Sequence, residues 1–304
     1  MNMKALLWFT IVAFVFVFVV QGCTTFPGVQ ESGTRPKIAL VLGGGAARGF
    51  AHVGVIRILE REKIPIDLIV GTSVGSLIGA IYADKRSSFD LEFTAFKLEK
   101  DDIFDFSVFS STTGPVKGDR LEEFVLKKLS KANIEELAIP FAAVATNLNT
   151  GRQVVLDKGS IAKAVRASSA IPGVFTPVVY QNATLVDGGV VNNVPVDVAG
   201  AKGADLVIAV NIGKNVVNWN VTNIVDITLQ AVNIMASEIS TFKMRDADIL
   251  IEPNVGAVGM MDFTQKEYCI RAGMDAAEKA IPEIKRKIDQ WFAQHKKAEK
   301  EARR

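Results

Sequence analysis

The sequence predicts an α/β protein, a three-layer α/β/α domain built on a mainly parallel central sheet. Three observations lead there. Short continuous apolar runs, "KIALVL", "IDLIV", "IPFAAVATNL" and "GADLVIAVNI", read as strands buried on both faces, which parallel sheets require. The first two alternate with stretches of helical spacing, as in successive strand–helix units. Each of those two strands also runs into a glycine-containing turn, at the end where open α/β sheets keep their sites.

The segment before the first strand reads differently. After Lys4 an unbroken apolar stretch runs from Ala5 to Val20 and ends in "VVQGC". That length suits a secretory signal peptide and is short for a membrane span. Gly22 and Cys23 resemble a bacterial lipobox, with Gln21 where a small residue is usual. The expectation is a signal peptide over 1–22, lipidation at Cys23 and a Pro- and Gly-punctuated tether over 23–36; an uncleaved signal anchor is the alternative. Either one sends the chain to the cell envelope, facing the periplasm or the exterior. The domain core is then expected over 37–215, and a helical part with a basic tail over 216–304 completes the domain.

Composition narrows the chemistry. A chain of 304 residues that is 49% apolar can bury one large core. Its formal charge of +2 argues against nucleic acid as a partner. Two cysteines and two histidines provide neither a disulfide framework nor an evident zinc site.

After the first strand comes "LVLGGGAARG", whose turn presents backbone N–H groups to an anion at a helix start. Neither the dinucleotide spacing nor a Gly-Lys-Ser/Thr is present. After the second strand, "IVGTSVGSLIGA" places Ser73 between Gly71 and Gly75, as in a nucleophile elbow, where a tight strand-to-helix corner demands small neighbours. A serine that only caps the following helix is the competing reading. Such a nucleophile normally borrows a histidine. His295 lies in the charged terminal "WFAQHKKAEKEARR", and His52, in "GFAHVGVI", reads as a packing or loop-supporting residue. A carboxylate remains, and Asp187 in "LVDGGVVNNVPV" is the candidate, because Gly188 and Gly189 let the chain turn and let another element approach it.

Taken in order, "GGGAARG", "GTSVG" and "DGG", with "RASSAIPGVFTPV" before the last, resemble the patatin-like phospholipase family over about Lys37–Asn215. The resemblance implies a patatin-like fold and a Ser–Asp dyad with no histidine. Ser73 would be the nucleophile and Asp187 the proton acceptor. Gly43, Gly44 and Gly45 with Arg48 and Gly49 would form the oxyanion loop, Ala46 standing where some members have another glycine. The expected activity is hydrolysis of phospholipid or other acyl esters without metal or cofactor, at a membrane reached through the lipidated N-terminus. A short-chain or thioester esterase, or an inert lipid-binding protein, are the alternatives.

Residues 84–118 carry six phenylalanines and read as a lid, an acyl-chain groove or simply a packed helix pair. "DRLEEFVLKKL" reads as a surface helix. The last 20 residues hold eight Lys or Arg against three Asp or Glu, either a solvated helix or a surface for an anionic bilayer.

Overall fold

The computed structural model describes residues 35–105, 116–213 and 224–302. Cys23, the signal peptide and most of the tether lie outside the described residues, as do 106–115 of the phenylalanine-rich stretch. From Pro36 onward the chain is one unit.

Eight strands form one sheet: β1 (Ile38–Leu42), β2 (Leu68–Thr72), β3 (Phe141–Asn147), β4 (Gln153–Leu156), β5 (Val178–Tyr180), β6 (Ala183–Asp187), β7 (Leu206–Val210) and β8 (Ile249–Ile251). Their order is β5-β6-β3-β2-β1-β7-β8, with β4 also on β3. Pairing is parallel from β3 across to β8 and antiparallel where β4, β5 and β6 join. The α/β/α architecture with a mostly parallel sheet is therefore as expected. One difference is β8, a strand inside the C-terminal part expected to be helical.

β1 shows why its run is continuously apolar. Ile38, Leu40 and Leu42 enter the large core on one face, while Ala39 and Val41 enter a smaller core on the other. The large face is covered by α1 (Phe50–Arg61), α2 (Val74–Lys85) and the long terminal α8 (Lys266–Ala302). The small face is covered by the short α6 (Val196–Ala201). The remaining helices are α3 (Ser88–Lys97), α4 (Asp119–Lys128), α5 (Ile161–Ser168) and α7 (Ile224–Lys243).

The register around β3 creates the site. On one edge of β3, Val144 pairs with Thr72, the last residue of β2. The next residue, Ala145, pairs with Asp187, the last residue of β6, while β4 occupies the opposite edge. β6 thus takes over the edge that β2 vacates, and Asp187 comes to lie beside Ser73.

Candidate active site

Ser73 sits between β2 and α2 with φ 55° and ψ −128°, a conformation that L-residues avoid. The flanking glycines make the corner possible. A Cβ on Gly75 would stand 2.1 Å from the Leu42 carbonyl oxygen, and one on Gly71 would stand 2.5 Å from the Gly75 carbonyl oxygen. The corner is held from beneath by Ser168, whose hydroxyl accepts from the Ser73 N–H at 2.9 Å and donates to the Val144 carbonyl at 2.6 Å. The Ser73 carbonyl accepts from Ser76 N–H, so the serine's backbone is engaged on both sides and its hydroxyl is left for chemistry.

Asp187 is buried, only 4% exposed. Burial raises its carboxyl from the usual range to about 6, opposed by hydrogen bonds from the Ser73 hydroxyl and from the Gly189 N–H. The latter measures 2.7 Å and the Thr146 hydroxyl donates to the Asp187 carbonyl at 2.9 Å, so neither the side chain nor the backbone is free to swing. Gly188 is required here because a Cβ would meet the Val144 carbonyl oxygen at 2.2 Å. Gly189 leaves room for the side chain of Asn193, 2.9 Å from where its Cβ would be.

The glycine turn curves over Ser73, but its N–H groups divide into two sets. Gly43 N–H donates to the Val210 carbonyl, Gly44 N–H to Asn193 and Arg48 N–H to Gly45. These three N–H groups are engaged in holding the loop's shape. Among the described residues, the N–H groups of Gly45, Ala46 and Val74 make no hydrogen bond. All three residues line the spaces that meet at Ser73. Arg48 points away from the serine; its guanidinium donates to the Val258 carbonyl at 2.8 Å and to that of Gly256 at 3.2 Å. Gly49 permits close packing of Val74, whose side chain would lie 2.3 Å from a Cβ there. Ala46 has φ 50°, a left-handed conformation that explains a glycine preference at this position.

Neither histidine is near enough in role to be the base. His52 is fully buried, its Nε2–H donates to the Gly43 carbonyl at 2.8 Å, and burial lowers its pKa to about 4. It is a neutral support for the loop, as expected. His295 is exposed, stacks on Trp291 and bonds that residue's carbonyl. Among the described residues no cluster of three or more His, Cys, Asp or Glu is placed to bind a metal.

Two spaces open from Ser73. One is apolar: Phe50, Leu77, Leu98, Phe104, Leu121 and Phe175 are among its walls, and Ser169 is its one polar residue besides Ser73. Leu98 and Phe104 come from the phenylalanine-rich stretch, which therefore contributes to a groove, whereas Phe89 and Phe93 on α3 face solvent. Leu121 comes from α4, the expected surface helix. The other space is more polar and lies between the glycine turn, Asp187, Asn193 and α7. The outer face of α7 exposes Ile224, Ile227, Met235 and Phe242.

Sequence reading missed two supports. Ser168 lay unassigned within "RASSAIPGVF", and Asn193, whose side chain donates to the Gly44 carbonyl at 3.2 Å, within "GGVVNNVPV". A small polar residue inside an otherwise apolar segment was the available signal in both.

Residues 40–199 match the family model described as patatin-like phospholipase. Patatin-like phospholipase domain-containing protein 6 of Mus musculus is 37% identical over 187 residues, covering 60% of this chain and 14% of the mouse protein. Lysophospholipase NTE1 of Mycosarcoma maydis is 39% identical over 182 residues, covering 59% of this chain and 10% of the fungal protein. Among solved structures, VipD from Legionella pneumophila aligns with TM-score 0.48 and 16% identity over 81% of this chain and 66% of that one. The family match spans more than half of the chain and includes both Ser73 and Asp187, and the chain belongs to the patatin-like phospholipase family.

Proposed function

We propose that the chain is a serine acyl-ester hydrolase acting on lipids, of phospholipase A or lysophospholipase type, and that Ser73 and Asp187 are its catalytic dyad. The observation that carries this reading is that Ser73 and the buried Asp187 line one polar space where it meets an apolar groove, beside three unpaired N–H groups. The name of the fungal relative supports the substrate class.

The acyl chain lies along the apolar groove. Asp187 accepts the Ser73 proton as Oγ attacks the ester carbonyl, and the N–H groups of Gly45, Ala46 and Val74 receive the oxyanion. Each such donor is typically worth about 3 kcal/mol. Collapse breaks the ester bond, the alcohol leaving with the proton from Asp187. A water then gives its proton to Asp187, its oxygen attacks the acyl-enzyme, and Ser73 is restored with release of the fatty acid. A carboxyl near 6 is a better proton acceptor than one near 4, yet remains ionised at neutral pH.

Lipidation at Cys23 would hold the protein to an envelope membrane, with the domain facing the periplasm or the exterior. Labelling with a fluorophosphonate tests the dyad. The expected result is modification of Ser73, read by peptide mass spectrometry, abolished in Ser73→Ala and reduced at least ~100-fold in rate in Asp187→Asn. Unlabelled Ser73 in folded protein, with vesicles present, overturns the reading. Metabolic labelling with an alkyne palmitate, compared between wild type and Cys23→Ser, tests the anchor.

A further inference from the structure

Asn233, on the inner face of α7, has no role in the dyad chemistry. It is 7% exposed, and its Nδ2 is buried without a hydrogen-bond partner. A buried donor left unpaired is destabilising, and native chains keep few of them. Of the buried side chains with an unpaired polar atom among the described residues, Asn233 is the one that lines the polar space beside Ser73 and Asp187. Its neighbours there include Gly45, Asn193 and Ala236.

The division of the two spaces says which part of a substrate reaches it. The apolar groove suits the acyl chain, so the alcohol half of the ester must lie on the side of Asn193 and Asn233. The oxyanion already has the N–H groups of Gly45, Ala46 and Val74 within the same site. Asn193 Nδ2 already commits one of its two N–H donors to the Gly44 carbonyl, whereas Asn233 Nδ2 has neither committed, which makes Asn233 the less encumbered amide facing the alcohol half.

We propose that Asn233 is a specificity-determining residue: its amide donates a hydrogen bond to an oxygen of the leaving group, favouring esters of glycerol-type alcohols over esters of simple alcohols. The acceptor is a glyceryl hydroxyl or a phosphodiester oxygen, two sources of one chemistry. This inference rests on Ser73 as the nucleophile.

The test uses three substrates with the same palmitoyl chain in the same mixed micelles: palmitoyl lysophosphatidylcholine, monopalmitoylglycerol and ethyl palmitate. In Asn233→Leu, kcat/KM for the oxygen-rich substrate or substrates is expected to fall about 10- to 100-fold. Ethyl palmitate hydrolysis and fluorophosphonate labelling of Ser73 stay within about twofold, because neither uses the contact. A fall for lysophosphatidylcholine alone identifies the phosphodiester; a fall for both glyceryl esters identifies the hydroxyl. Asn233→Ala, which removes the N–H donor without adding a charge beside Asp187, is read in the same way if the leucine variant does not fold. A uniform loss across all three substrates and labelling, or no loss on any, overturns the proposal. Failure of the nucleophile reading is a separate outcome, seen as absent labelling of Ser73 in the wild type.

Discussion

Asp187 and His52 pull the pH dependence of stability in opposite directions. The folded chain keeps a proton on Asp187 that the unfolded chain has released between pH 3.8 and about 6. Its contribution to stability is therefore full below pH 4 and is lost as pH rises through 6, by about 3 kcal/mol. His52 behaves conversely, because the unfolded chain holds a proton between about 4 and 6.5 that the folded chain refuses. Its contribution is full above 6.5 and is lost as pH falls toward 4, by a similar amount of about 3 kcal/mol. Asp187→Asn removes only the first effect. Thermal melts of this variant should show it more stable than wild type at pH 7.5, by about 2 to 3 kcal/mol, and steeply weakened between pH 6.5 and 4. In the wild type, kcat/KM should rise with pH through about 6 and level off above, as Asp187 ionises. Ala46→Gly should add about 1 kcal/mol of stability in urea unfolding by relieving the left-handed backbone.

Elements position what residues then do, and here the decisive event is the handover of one edge of β3 from β2 to β6. Ser73 could be read from sequence because its signals are local: an apolar strand, two glycines and a small-residue helix within a dozen positions. Asp187 needed elimination and resemblance, since its partner lies across the sheet. Ser168 and Asn193 were not legible, because their bonds to Ser73 and Gly44 span 95 and 149 residues. Which N–H groups of a glycine turn remain unpaired depends on Val210 and Asn193, distant in sequence. Two substitutions test this level. Gly75→Ala would drive its Cβ into the Leu42 carbonyl oxygen, and no folded, labelled protein is expected on gel filtration. Ser168→Ala leaves the buried Ser73 N–H and Val144 carbonyl without their shared partner. It should destabilise by about 2 to 3 kcal/mol and slow fluorophosphonate labelling.

At the level of the whole molecule, the family match ends at residue 199, yet the support of its glycine turn does not. Met260 accepts the Ala47 N–H, Val258 and Gly256 accept the Arg48 guanidinium, and Val210 accepts the Gly43 N–H. The helix following the turn is clamped as well. Gly54 of α1 and Gly273 of α8 face the opposite backbone so closely that a Cβ would lie 1.9 Å from the Ile270 carbonyl oxygen and 2.0 Å from that of Ala51. β8 meanwhile completes the sheet beside β7. A chain ended at residue 213 should therefore show no cooperative thermal transition by circular dichroism, although it contains the family-matched residues with Ser73 and Asp187. The same clamp dictates a timetable for biosynthesis. Ser73 and its glycine turn leave the ribosome before the carbonyls of Gly256, Val258 and Met260 and the helix α8 that brace them. A nascent chain therefore carries Ser73 before it carries the finished pocket around it.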